Sequence, residues 1–227
     1  MTPSRVVVLS THLDDGVLSI GGWMCRAARS GAAITLVTVL AGDPDDTRPG
    51  SDWDHRAGFS TVGEAAAARR SEDRRACAIL GLRTSWLPFG DMLQGRGGSD
   101  ESVWNALAPL LAEADLVLGP GFPLSHPDHA WLTTLLLQRR GEALPMGFYA
   151  EQPYRHHAGG ALGDPPSVGE GKVRWEPIRL SPRERWAKFR AVRQYRSQLA
   201  LLSDRRGLAR RLGLARGDAG EALAWGS

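Results

Sequence analysis

Little in this chain invites disulfide, membrane or nucleotide chemistry. Its 227 residues include only two cysteines, Cys25 and Cys77, with no CxxC pairing. A disulfide scaffold is therefore excluded, and both thiols, set among Ala and Arg in helix-like sequence, are read as buried and free. No apolar run approaches the roughly 18–20 residues of a membrane span. Residues 1–10, MTPSRVVVLS, lack the apolar stretch of a secretion signal. The expectation is a cytoplasmic protein with no membrane partner. Phosphate-cradling glycines are missing too. The turn after the first strand-like run reads STHLDDG, neither GxGxxG nor a P-loop, and its two aspartates would repel a phosphate. That counts against a nucleotide-binding or glycosyltransferase-like domain. Lysine is nearly absent, since 26 of the 28 basic residues are Arg.

What is present is ordinary for a globular protein. Hydrophobic residues make up 42% and charged residues 23%, enough for one domain with a full core. The net charge of +3 is unevenly spread. Between Arg179 and Arg216 stand 12 basic and 2 acidic residues, a local +10, which leaves −7 for the rest. A basic stretch on an acidic body suits either a solvated helix pair or an anionic partner. Trp186, Phe189 and Tyr195 have the spacing of helix packing, so nucleic acid is not expected.

The hydrophobic pattern predicts an α/β fold. Arg5–Leu9 is a β-branched run suited to a strand buried on both faces. A helix over 17–30, stopped by Gly31, and a strand over Ile34–Leu40 complete a β-α-β opening. Ala41–Ser60 reads as a long loop, Thr61–Leu80 as a helix closed by Gly81, and Thr84–Phe89, Asp115–Leu118 and Met146–Tyr149 as strands. Residues 155–171 read as a Gly/Pro-rich insertion, Lys172–Leu180 as extended, and Ser181 to about Leu202 as a helix opened by Pro182. The expected architecture is a doubly wound, mostly parallel, Rossmann-like sheet in three layers. A single domain is expected over 1–202, followed by a basic C-terminal tail over 203–227. Ligands of such folds bind beyond the carboxyl ends of the strands.

Two segments at such strand ends carry the chemistry: His12-Leu13-Asp14-Asp15 and His126-Pro127-Asp128-His129. Together they offer three imidazoles and three carboxylates to one crevice. That inventory suits a catalytic zinc held by three protein ligands, with a position left for water. His126 and His129 are three apart and share one side of a starting helix. Taken singly, His12 also reads as a polar turn residue, Asp14-Asp15 as a helix cap, and the second histidine pair as a solvated helix start. His55, His156 and His157 lie in polar loops and read as structural. Glu151-Gln152-Pro153-Tyr154 follows a strand whose end faces the crevice, and suits a substrate contact or a turn equally. Trp53 and Phe59 suit a core contact or an apolar wall for an acyl chain or aglycone.

The ordered pair of segments resembles the LmbE-like, or PIG-L, deacetylase family, whose signature is His-Pro-Asp-Asp near the N-terminus and a later His-x-Asp-His. The family's Arg-x-x-Glu has a counterpart in Arg69-Arg70-Ser71-Glu72, and its closing helix in Gln194-Tyr195-Arg196-Ser197-Gln198. The resemblance implies that His12, Asp15 and His129 ligate Zn2+ and that Asp14 is the general base. His126 would stabilise the oxyanion or protonate the leaving amine, with Asp128 orienting its ring. Arg69 would hold sugar hydroxyls. The implied reaction is hydrolysis of an N-acetyl, or other N-acyl, group from a small-molecule amino-sugar glycoconjugate. Two departures stand out. Leu13 replaces the family's Pro, and Gly16 replaces its usual acid. Loss of that acid removes a partner of the metal ligands, worth roughly 10–100-fold in affinity if nothing replaces it. The His-Leu-Asp-Asp variant is similar to members that tailor antibiotics and other glycosylated metabolites. Two further readings stand beside the hydrolase: a metal-binding α/β domain without catalysis, and an anion binder using its Arg-rich C-terminal helices. Homo-oligomerisation is left open, as is iron(II) or cobalt in place of zinc.

Overall fold

Four consecutive buried apolar residues, Val6–Leu9, cannot belong to a strand with one wet face. In the computed structural model they form the middle of β1 (Arg5–Ser10), which is flanked on both edges. The structure describes residues 4–92, 95, 97–139, 145–157, 161–166, 173–199, 201, 207, 208, 212 and 220–225. After β1 come α1 (Asp15–Arg29), β2 (Ala33–Thr38), α2 (Asp52–Ala57), α3 (Val62–Leu80) and β3 (Arg83–Trp86). Then follow α4 (Asp100–Leu111), β4 (Leu116–Phe122), α5 (Pro127–Arg139), β5 (Met146–Ala150) and α6 (Tyr154–His157). The chain closes with β6 (Arg174–Ile178), α7 (Pro182–Val192), α8 (Arg196–Leu199) and β7 (Glu221–Trp225).

The seven strands run in the order β3-β2-β1-β4-β5-β7-β6. The first five are parallel, and β7 is antiparallel to both its neighbours. Helices cover both faces, giving the expected three layers. One core joins Val6, Val8 and Leu36 to α1, α3 and α7 through residues such as Met24, Leu80 and Val192. The other joins Val7, Leu9 and Val37 to α4 and α5 through Leu107, Leu132 and Leu136. The strand order reverses between β1 and β4, so the loops leaving them open a crevice at their carboxyl ends.

Local signals set most boundaries. Thr61 and Glu64 form a reciprocal capping box at the start of α3, and Gly81, at φ 77°, ends it. Ser181 and Glu184 do the same for α7, with Pro182 in its first turn. The loop over 41–60 holds the short helix α2, opened by a capping box of Ser51 and Asp54. The helix expected to run to about Leu202 instead breaks after Val192 and resumes as α8. The insertion read at 155–171 begins within α6, and residues 158–160 and 167–171 of it lie outside those described. Both cysteines are free and buried.

The stretch read as a basic tail over 203–227 contributes a strand to the sheet. Most of that stretch lies outside the described residues, but Glu221–Trp225 is strand β7, inserted between β5 and β6. Its first four residues are buried. Glu221 also reaches α1, which is kinked at Ile20 (φ −130°, ψ 25°). Its carboxylate accepts the N–H groups of Gly22 and Trp23, each at 2.7 Å, and pairs with buried Lys188 of α7 at 2.8 Å. Lys188 Nζ donates to the Ser19 carbonyl at 3.1 Å, satisfying an oxygen beside the kink. No helix among the described residues is long and apolar enough to cross a membrane.

Candidate active site

The crevice is built by three strand ends. Beyond β1, Ser10 Oγ donates to the His12 carbonyl (2.7 Å) and accepts the Gly16 N–H (2.9 Å), fixing a tight turn. Asp15 Oδ2 accepts the His12 N–H at 2.8 Å. Asp14, at the apex, sits at φ 143°, ψ −33°, a conformation that non-glycine residues rarely adopt. Backbone held so far from its preferred wells concentrates at functional sites. Beyond β4, the Asp128 N–H meets His126 Nδ1 at 3.3 Å, which turns the chain into α5. Beyond β5 stands Glu151, fully buried. Tyr149 locks these ends together by donating its hydroxyl to the Leu9 carbonyl at 2.9 Å.

The donor atoms converge. His12 Nδ1 lies 3.2 Å from Asp15 Oδ2, His129 Nε2 lies 3.1 Å from the same oxygen, and the two nitrogens are 3.2 Å apart. A tetrahedral ion with bonds of about 2.0–2.1 Å needs ligand-to-ligand edges of about 3.3–3.4 Å. The triangle already has nearly that size, so these three residues fit a zinc-sized cation. His126 belongs to a looser group with His12 and His129, whose ring nitrogens lie within 4.8 Å of one another. The tighter triangle includes a carboxylate and leaves His126 outside it.

Electrostatics separates the two adjacent aspartates. Burial alone would lift Asp15, but the His129 charge and hydrogen bonds from His12 and His129 hold its carboxyl well below the usual range. Burial, reinforced by the Asp15 charge, pushes Asp14 well above it. Neighbouring carboxylates driven apart in this way can take different roles, one staying charged and one accepting a proton. Burial disfavours charge on His12, but hydrogen bonds to Asp128 and Asp15 outweigh it and raise its pKa to about 9. His129 rises against the same burial penalty to about 10, through Asp15 and Glu151. A cation entering the triangle would displace both protons. His126 moves down, through burial and then repulsion from His12 and His129.

Asp128 departs from its expected place. Its Oδ2 is 3.3 Å from His12 Nε2 and 3.9 Å from His126 Nδ1, and it accepts the Met92 N–H at 3.2 Å. The carboxylate is thus closer to the ring from the other loop than to its sequence neighbour. Arg69 points from α3 into the crevice and pairs with buried Asp54 at 2.7 Å, stacking over Phe59 at 5.8 Å. Glu72, one turn on, holds α8 by accepting the Ser197 N–H (3.0 Å) and hydroxyl (2.7 Å). The next residue, Gln198, accepts from Trp53 Nε1 at 3.1 Å. The Arg-x-x-Glu motif therefore serves both the crevice and the closing helix.

These side chains line a cavity of about 370 Å³ that His12, Asp14, Asp15, His126 and Arg69 share with Leu18, Leu40, Val62, Ala66, Trp53, Tyr154 and Gln198. That volume suits a small-molecule ligand. Trp53 lines it, whereas Phe59 packs beneath Arg69. Sequence reasoning missed Asp54, although Ser51-Asp52-Trp53-Asp54 carries the Ser-x-x-acid signal of a capping box. It also missed Asp91, another lining residue, which no motif marks.

Comparison with known proteins identifies the family. The chain is 27% identical over 168 residues to the 1D-myo-inositol 2-acetamido-2-deoxy-alpha-D-glucopyranoside deacetylase of Streptomyces griseus, covering 66% of this chain and 52% of that one. It thus spans about half the length of the curated relatives that head the comparison. Its fold matches the crystal structure of the antimicrobial A40926 pseudoaglycone deacetylase with a TM-score of 0.74 and 26% identity, over 98% of this chain and 96% of that one. It matches the zinc-inhibited form of a teicoplanin deacetylase with a TM-score of 0.75 and 25% identity, over 97% of each chain. Residues 7–139 match the family model described as PIG-L: GlcNAc-PI de-N-acetylase, and the chain belongs to that family.

Proposed function

We propose that the protein is a metal-dependent N-deacetylase that hydrolyses an acetylated amino sugar on a glycosylated metabolite. The observation that carries this reading is the triangle of His12, Asp15 and His129 donors, 3.1–3.2 Å on a side, beside Asp14 in a ligand-sized cavity. Similarity to a deacetylase of an acetamido-deoxy-glucopyranoside, to the A40926 pseudoaglycone deacetylase and to a teicoplanin deacetylase supports the substrate class.

His12, Asp15 and His129 would hold the ion. When bound, zinc acts as a Lewis acid, polarising an amide carbonyl and acidifying water near neutral pH. Asp14 takes the proton of the attacking water, and general-base help of this kind is worth roughly 10²–10⁴-fold. The water oxygen adds to the acyl carbon and the C–N bond breaks. The amine leaves with a proton that His126 can deliver, and acetate is the second product. His126 precedes the first turn of α5, whose N-terminal partial charge favours a developing oxyanion. Asp128, 3.3 Å from His12 Nε2, orients that ring. Arg69, held by Asp54, offers its guanidinium to sugar hydroxyls.

Elemental analysis of the protein beside His129→Ala tests the ion. About one zinc per chain is expected, and it should be lost in the variant. Acetate release from N-acetylglucosaminyl glycosides tests the reaction. Asp14→Asn should keep the metal and lose about 10²–10⁴-fold in turnover. A metal-free wild type after zinc supply, or a fully active Asp14→Asn, would overturn the reading.

A further inference from the structure

The candidate metal ligands rest on an outer layer of buried groups. The turn from His12 into α1 leaves position 16 little room for a side chain. A Cβ on Gly16 would stand 2.7 Å from Leu36 Cδ1 and 3.4 Å from Ser10 Oγ. Leu36 is fully buried and pairs with Val8 and Thr84, so it has nowhere to move. A buried acid stands beside the triangle. Glu151 follows β5 directly, and one of its carboxylate oxygens is hydrogen-bonded to His129 Nδ1. The other accepts the Leu124 N–H at 2.8 Å. Its own backbone N–H bonds the Phe122 carbonyl, and its carbonyl accepts the Arg155 N–H, so both ends of the residue are fixed.

We infer that Glu151 is a positioning residue for the metal centre, fixing the His129 ring so that Nε2 faces Asp15 and His12. The inference rests on the reading of His129 as a ligand. Its physical basis is the carboxylate–histidine pair. A neutral imidazole that gives its Nδ1–H to a carboxylate presents an unprotonated Nε2 to an ion, and the hydrogen bond fixes the ring's orientation. His12 has the mirror arrangement, with Nδ1 in the triangle and Nε2 at Asp128. Both imidazoles are thus buttressed by carboxylates, each through its outward nitrogen.

Glu151→Gln and Glu151→Met separate this role from simple packing. Both keep the side chain's length, and Gln retains an acceptor for the Leu124 N–H. Zinc affinity is read by competition with a chelator, and the visible spectrum of the cobalt-loaded protein reports the ligand geometry. The expected result is a loss of about 10-fold in affinity for Gln and up to about 100-fold for Met, with altered cobalt bands. Far-ultraviolet dichroism serves as the fold control. Should Met fail to fold, the Gln variant decides the matter. Wild-type affinity and spectrum in a folded variant would overturn the inference and leave the metal site standing. A wild type that binds neither zinc nor cobalt would overturn both.

Discussion

Glu221→Gln should unfold this protein at a much lower temperature, although it lies in a stretch that the sequence marks as a tail. The substitution keeps shape and removes one charge. Glu221 is buried and makes three contacts within 2.8 Å, to Gly22 N–H, Trp23 N–H and Lys188 Nζ. Lys188 is 2% exposed, so water cannot take over its charge. A Gln amide has one acceptor oxygen where the carboxylate has two, so at least one N–H at the α1 kink loses its partner. Breaking a buried pair from one side costs about 3–5 kcal/mol. A domain of this size loses about 2–4 °C of Tm per kcal/mol, giving a fall on the order of 10 °C. Thermal melts and urea titrations of Glu221→Gln, Lys188→Met and the double variant would measure it. The double variant should lose less than the two singles summed, because no charge is left buried alone. A Glu221→Gln protein within about 1 kcal/mol of wild type would refute the reasoning and return β7 to the status of an appendage. Removing 203–227 altogether should abolish folding, since it takes a strand out of the sheet.

Gly16→Glu should destabilise by at least about 3 kcal/mol in a urea titration, because an acid would be forced against Leu36 in a buried turn. Arg69→Ala should raise KM for sugar substrates by about 10-fold or more with a smaller change in kcat, the scale of one lost charged hydrogen bond. An unaltered KM would remove Arg69 from substrate contact. The Arg26–Glu184 pair should add a pH-dependent increment on the acid side. The hydrogen bond from Arg26 lowers the Glu184 pKa from 4.5 to about 2. The carboxylate therefore stabilises the fold fully above about 4.5 and loses that contribution as pH falls toward 2. Its partial exposure limits the amount to on the order of 0.5 kcal/mol. Arg26→Gln should flatten Tm against pH in that window, and an unchanged acid limb would show that the pair is fully screened.

What could be read from the sequence, and what could not, divides along the range of the interactions involved. The β1 run, the boxes at Thr61 and Ser181 and the stop at Gly81 are local, and each is encoded within four or five residues. The two His/Asp segments could be placed at one crevice because a parallel sheet sends alternate loops to the same edge. Partnerships across loops were out of reach. Asp128 stands two residues from His126, which favours pairing them, yet its carboxylate lies nearer His12, 116 positions away. Glu151 could be placed facing the crevice, but the register of β5 against β4 decides that it meets His129 rather than substrate. The closing helix breaks before Arg196 because Glu72 of α3 takes the Ser197 N–H, a competitor that no local window contains. The sequence EALAW has the composition of a helix end, and five apolar-rich residues do not fix a period. It becomes a strand because β5 and β6 leave a slot between them, and because Glu221 at its start answers a kink and a buried lysine on two other helices. A buried charge in a short apolar segment is itself a sign of such a distant partner, since burial without one would be prohibitive.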